Sequence, residues 1–211
     1  MMIQILLVDD HNLVREGVKQ LLSGHTDMEV VAEASDGQEA LEKVWQKHFD
    51  IVLLDISLPG QNGLEVLKDI KRHDPETRIL ILSMHPEERY AVRAVKAGAS
   101  GYLTKGSVTE ELIAAIRKIS QGGRYITPEV ADKMASNLQS GADGSPHTVL
   151  SDREFEVMCL IASGKSVTDI ANELHLSVKT ISTFRKRILD KMHLKHNADM
   201  THYAISHGLI D

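Results

Sequence analysis

The sequence predicts an α/β fold, a doubly wound five-stranded parallel sheet, followed by a second, all-α domain. Three observations carry that prediction. Short apolar runs alternate with amphipathic helical patterns through the first 121 residues. A polar stretch, Gln-Ser-Gly-Ala-Asp-Gly-Ser-Pro at 139–146, then interrupts the pattern. Beyond it only helical periodicity continues.

The apolar runs are Ile3–Val8, Glu29–Ala34, Ile51–Leu54, Ile79–Leu82 and Gly101–Leu103. They are continuous rather than alternating, as parallel strands covered on both faces require. Helical segments are expected near 12–22, 36–47, 63–72, 86–97 and 109–121. Asp36 with Glu39 and Ser107 with Glu110 read as capping boxes, and Pro86 suits a first helical turn. Gly98 and Gly122 stand where helices should stop. Five such units imply an open, doubly wound sheet with right-handed crossovers. Residues 122–146 read as a partly helical linker, with Thr127-Pro128 opening a short helix to about Leu138. In the domain expected at 147–211, Ser151 and Glu154 form another capping box leading into Phe155–Ala162, which Gly164 stops. Helices follow near 167–174, 178–192 and 198–207, the last ended by Gly208.

A chain of 211 residues has room for two domains, and its 42% hydrophobic, 26% charged composition is ordinary for a globular protein. The N-terminal apolar run is too short to span a membrane and lacks the basic flank of a signal peptide, so no membrane partner is expected. The single cysteine, Cys159, excludes an internal disulfide framework and suits the cytoplasm, and its apolar helical neighbours mark it as a buried hydrophobe. The net charge of −6 conceals an uneven distribution. Residues 1–121 carry 14 Lys and Arg against 19 Asp and Glu, whereas 147–211 carry eight of each. Six of those last eight positive charges fall between Lys179 and Lys195, with Asp190 the only acid among them. Basic clusters of this kind suit a phosphate backbone.

Polar residues fall at the strand ends. Asp9 and Asp10 close the first strand, Asp55 the third and Ser83 the fourth, and Lys105 follows the fifth. In an open sheet of order 2-1-3-4-5 the ligand crevice lies outside the C-terminal strand ends, between strands one and three. Asp9, Asp10 and Asp55 should converge there, with Ser83 and Lys105 alongside. Three packed carboxylates repel unless a cation intervenes, and a hard divalent ion with oxygen ligands, Mg²⁺, is the natural candidate. Lys105 offers a point charge to a phosphoryl oxygen and Ser83 a hydroxyl. Any one of these residues alone reads better as a solvated turn or surface side chain; their joint placement carries the argument.

That order resembles the receiver domain of two-component response regulators over roughly the first 121 residues, with Asp55-Ile-Ser-Leu-Pro-Gly as its phosphoacceptor loop and Gly63 at the start of the next helix. The resemblance implies that Asp55 accepts a phosphoryl group from a sensor histidine kinase. It also implies that Asp10, Asp55 and the Ser57 backbone carbonyl ligate Mg²⁺, with Asp9 assisting, and that Ser83 and Tyr102 form a switch pair. Asp9-Asp10-His11 and Ser83-Met84-His85 resemble the subfamily joined to LuxR-type DNA-binding domains.

In the second domain, Leu150–Met158, Leu160–Lys165, Asp169–Leu174 and Ser177–Ile181 resemble the LuxR/NarL-type helix-turn-helix over approximately 149–207. Ile170, Ala171 and Leu174 give the scaffold helix an apolar face, His175-Leu176 forms the turn, and Ser177 caps the recognition helix. Ile181, Ile188 and Met192 should face the core. Lys179, Thr180, Ser182, Thr183, Lys186, Arg187 and Lys191 remain for double-stranded DNA, bound by a homodimer on inverted half-sites. Relatives often carry Lys-x-His where this chain has Ser182-Thr183-Phe184, so a relative's DNA preference does not transfer. Phe184 reads as packing.

Other functions fit less well. The 11 histidines are scattered and no H-E-x-x-H helix occurs, which argues against a zinc site. A haloacid-dehalogenase-like phosphatase would also use a strand-end Asp, Mg²⁺ and a lysine. It needs a second carboxylate two residues after its nucleophile, where this chain has Ser57, so at most slow self-dephosphorylation is expected rather than enzymatic turnover. A receiver acting only through protein partners, with the tail as a dimerisation module, is a third reading. Binding of DNA by residues 147–211 would exclude it.

Overall fold

The five parallel strands lie in the order β2-β1-β3-β4-β5 in a computed structural model that describes residues 2–85, 87–106, 109–139 and 146–210. The strands are β1 (Ile3–Val8), β2 (Met28–Ala34), β3 (Ile51–Leu54), β4 (Arg78–Ser83) and β5 (Gly101–Thr104). Helices α1 (Asn12–Ser23), α2 (Gly37–Gln46), α3 (Gly63–His73), α4 (Glu87–Lys96) and α5 (Thr109–Ser120) follow the strands in turn. The observed bounds lie within a residue or two of those expected. The start signals placed on Pro86 and Ser107 lie outside the described residues.

Continuous apolar runs become strands because both sheet faces are covered. Ile5, Leu7, Ile51, Leu53, Leu80, Leu82 and Leu103 pack in one core with Leu22 of α1 and Leu112, Ile113, Ile116 and Ile119 of α5. Leu6, Val8, Val52, Leu54, Ile79 and Ile81 point to the opposite face and are equally buried. The register Val8↔Leu54 sets the ends of β1 and β3 level, so the residues after them emerge side by side.

The first compact unit runs to Val130 and the second from Ala131, so the division falls inside α6 (Pro128–Gln139). The expected linker therefore does not begin cleanly at 122. Tyr125 bridges to Gly101 at the β5 edge, its N–H donating to the Ser100 carbonyl at 2.9 Å, and its ring packs on the core of the first unit. Most of the polar stretch, 140–145, lies outside the described residues.

The second unit contains α7 (Asp152–Ala162), α8 (Val167–Glu173), α9 (Val178–Met192) and α10 (Asn197–Ser206), with a short 3₁₀ turn at Pro146–Val149. Ser151 and Glu154 form the expected reciprocal capping box. The Asp36 carboxylate accepts from the Glu39 N–H, but Glu39 reaches past the cap to the N–H and hydroxyl of Ser35. Gly98, Gly122, Gly164 and Gly208 all stop helices in the left-handed region. Two histidines share that conformation: His175 in the turn between α8 and α9, and His193 at the C-cap of α9.

Candidate phosphoacceptor site and nucleic-acid interface

At the level ends of β1 and β3, Asp9 and Asp55 are each only 2% exposed, and Lys105 reaches in from the end of β5. Its Nζ lies 2.7 Å from Asp9 Oδ2 and 2.7 Å from Asp55 Oδ2. Burial pushes the Asp55 carboxyl above the usual carboxylate range; Lys105 opposes that rise and Asp9 adds to it. Lys105 itself is held above the ordinary lysine range. Burial alone would lower it, and the two carboxylates more than reverse that.

Asp9, Asp10, His11 and Asp55 each bring one ligand-type atom within 4.8 Å of the others, the only such group among the described residues. Asp10 Oδ1 lies 2.7 Å from His11 Nδ1 but not in hydrogen-bond geometry, and it is buried without a hydrogen-bond partner. An orphaned carboxylate oxygen among two further carboxylates is the donor set a hard divalent cation takes. The residues present fit Mg²⁺.

The loop after β3 is drawn tight around Asp55. The Ser57 N–H donates to Asp55 Oδ1 at 3.2 Å, and the Gly63 N–H donates to the Ile56 carbonyl at 2.8 Å. Asn62 caps α3, accepting from the Leu64 N–H at 2.9 Å. Ser83 is fully buried, and its Oγ accepts from the His85 N–H at 3.1 Å. Tyr102, the other member of the expected switch pair, is buried, with its hydroxyl donating to the His85 carbonyl at 2.9 Å. His85 also meets Ser57 Oγ through Nε2 at 3.2 Å, so the third residue of Ser83-Met84-His85 touches Ser57, Ser83 and Tyr102 together. The sequence signalled His85 only through the subfamily resemblance, and gave no role to His11 or to Arg15, which binds the Asp9 carbonyl.

In the second unit Ile170, Ala171 and Leu174 are buried, as are Ile181, Ile188 and Met192 on α9. Ser177 caps α9, accepting from the Thr180 N–H at 3.0 Å, and the Thr180 hydroxyl lies 2.8 Å from Ser177 Oγ, which ties Thr180 into the cap. Lys179, Ser182, Thr183, Lys186 and Arg187 are exposed, and Phe184 is half-buried. The Ser182 and Thr183 hydroxyls donate back to the Val178 and Lys179 carbonyls, each at 2.9 Å. Lys191 differs from its basic neighbours. Its ammonium lies 2.6 Å from Oε2 of the nearly buried Glu154, the same carboxylate that completes the α7 cap. A second reciprocal box, Ser166 with Asp169, starts α8; the expected pattern of Glu or Gln three residues on did not find it.

Comparison with known proteins gives this arrangement a family. The response regulator receiver domain family matches residues 5–117, and the luxR family of bacterial regulatory proteins matches 148–204. The response regulator UvrY of Escherichia coli is 39% identical over 209 residues, covering 99% of this chain and 96% of that protein. A LuxR-family response regulator from Aurantimonas superposes with a TM-score of 0.60 at 42% identity, over 65% of this chain and 98% of that one. RcsB of Salmonella enterica serovar Typhimurium, solved bound to the rprA promoter, has a TM-score of 0.64 at 25% identity, covering 96% of this chain and 98% of that one. With matches of both kinds running through both units, the chain belongs to the two-component response regulators that join a receiver domain to a LuxR-type domain.

Proposed function

We propose that this response regulator accepts a phosphoryl group on Asp55 from a sensor histidine kinase and thereby controls DNA binding through α9. The observation that carries the first half is Lys105 bridging Asp9 and Asp55 at 2.7 Å beside the orphaned Asp10 Oδ1. Asp10, Asp55 and the Ser57 carbonyl would hold Mg²⁺, with Asp9 assisting. The ion would supply positive charge to the phosphoryl oxygens during transfer.

Asp55 is the group that attacks. Its carboxylate oxygen forms a bond to phosphorus as the phosphorus–nitrogen bond of the kinase phosphohistidine breaks, and the electron pair returns to the imidazole. Lys105 offsets the negative charge that gathers there and opposes the rise that burial imposes on the Asp55 carboxyl. Ser83 presents its hydroxyl to the new phosphoryl group, while Tyr102, at the other end of the switch, is already buried against His85. Ser57, two residues past the acceptor, has no carboxylate to activate water, so the phosphoryl group is lost only by slow self-dephosphorylation.

For the second half, the exposed face of α9 offers Lys179, Ser182, Thr183, Lys186 and Arg187 to double-stranded DNA. Among the described residues Lys179, Lys186 and Arg187 make no ion pair. A helix of 15 residues reads too few bases for a long site, so two copies on a two-fold axis over inverted half-sites are expected. The likeness to RcsB, solved on promoter DNA, supports this reading. The lone buried Cys159 suits a cytoplasmic protein. Incubating the chain with acetyl phosphate and MgCl₂ should add one acid-labile phosphate. Undiminished labelling of Asp55→Ala, or labelling that survives chelation of the metal, overturns the assignment.

A further inference from the structure

We infer that Arg15 is a positioning residue for the metal: it fixes the acidic turn so that Asp10 is presented to Mg²⁺. Only two residues, Asp10 and His11, join Asp9 to α1. Asp9 is anchored at four atoms. Its N–H donates to the Ala34 carbonyl at 3.1 Å, Oδ1 accepts from the His11 N–H at 2.9 Å, and Oδ2 meets Lys105 at 2.7 Å. The fourth anchor is the backbone carbonyl, which accepts from Arg15 Nη1 at 2.7 Å. Asp10 Oδ1 has no hydrogen-bond partner and meets the exposed His11 ring only as a 2.7 Å approach to Nδ1, so its orientation depends chiefly on the peptide group that Arg15 grips.

The guanidinium can act as a fixed point because its other edges are also held. Nε donates to Glu33 Oε2 on β2 at 3.0 Å, and Nη2 donates to Asn12 Oδ1 at 3.1 Å. Lys19 pairs with the second Glu33 oxygen at 2.7 Å, which keeps that carboxylate in place. The arginine side chain is only 15% exposed. A planar fork with three partners in fixed directions orients a turn more firmly than a lysine ammonium would. Residues one shell outside a metal typically change affinity 10- to 100-fold when removed. The inference rests on the reading of Asp9, Asp10 and Asp55 as a magnesium site.

Calorimetric titration of MgCl₂ into the full chain tests it directly. Arg15→Met should raise the Mg²⁺ Kd about tenfold, and Arg15→Lys should recover only part of the loss. Glu33→Gln, which frees the far edge of the guanidinium with little change of shape, should raise Kd in the same direction by less. Glu33→Gln also carries the test if Arg15→Met does not fold. A lower melting temperature with Kd unchanged in the folded variants would make Arg15 a structural residue only and overturn the inference. Asp10→Asn serves as the reference. If the wild type binds Mg²⁺ no better than Asp10→Asn does, the metal reading itself fails, and the inference with it.

Discussion

Gly63 tolerates no side chain. A Cβ there would stand 2.0 Å from the Asp55 carbonyl oxygen and 2.8 Å from the Ile56 Cα, both backbone atoms that no rotamer change can clear. The glycine lets α3 begin directly against the end of β3, with the Gly63 N–H closing the loop onto the Ile56 carbonyl at 2.8 Å. Gly63→Ala must push α3 away or shift Asp55, at a cost of about 1–3 kcal/mol in chemical denaturation. Because the displaced atom belongs to Asp55, the acetyl phosphate labelling rate should fall further than the stability loss explains. Labelling at the wild-type rate in a folded Gly63→Ala chain would show that the loop geometry is not needed for chemistry. Gly63 entered the sequence reading only as a family position; the reason for it is a contact between residues eight apart, which no local pattern reveals.

At the level of the helix, the basic residues of α9 differ in what holds them: Lys191 is paired with Glu154, whereas Lys179, Lys186 and Arg187 make no ion pair among the described residues. Lys191 holds Glu154, and although burial works to raise that carboxyl, the Lys191 and Ser151 hydrogen bonds keep it below its ordinary value of 4.5. A lowered folded-state value means stability that is present above the unfolded value and lost as the pH falls through the folded one. The wild-type second unit should therefore lose stability below about pH 4.5, and Glu154→Gln should flatten that part of the melting profile. Lys191→Met should cost about 1 kcal/mol at neutral pH by leaving a nearly buried acceptor less well satisfied. Lys191 is thus a poor probe of phosphate contact, and Arg187 is the better one. Arg187→Ala should weaken cognate and scrambled duplexes alike and lower the salt slope by roughly one unit. Lys186→Ala should instead cost about 1–3 kcal/mol on the cognate duplex and relax preference at one base position. Identical behaviour of the two substitutions in salt-titrated binding would end the distinction between base and backbone contacts.

Across the whole molecule, what was legible in the sequence was whatever a local pattern dictates. The continuous runs around Leu6 and Leu53 read as strands covered on both faces, and with the strand order 2-1-3-4-5 taken as a condition, Asp9, Asp10 and Asp55 had one place to meet. What stayed hidden depends on partners distant along the chain: Arg15 with Glu33, His85 with Ser57, Lys191 with Glu154, and Tyr125 extending the first unit beyond 121. Regulation belongs to this last scale. A receiver can control its tail only if phosphorylation has a different free energy in two states of the chain, and coupling of this kind usually spans 5- to 150-fold in affinity. Tyr102 is already buried against His85, so under the proposed function the remaining local event would be the turning of the Ser83 hydroxyl, which now accepts from the His85 N–H, toward the phosphoryl group. On that reading the exchange would be felt at His85, just before α4, and its readout would be a change in dimerisation or in DNA binding by α9. The full chain, phosphorylated and unphosphorylated, should differ about fivefold or more in affinity for its inverted site, or in apparent mass by sedimentation. Ser83→Ala should still accept phosphate on Asp55 yet lose most of that difference. Equal affinity and equal mass in the two forms would mean that the receiver does not govern the LuxR-type domain through this switch.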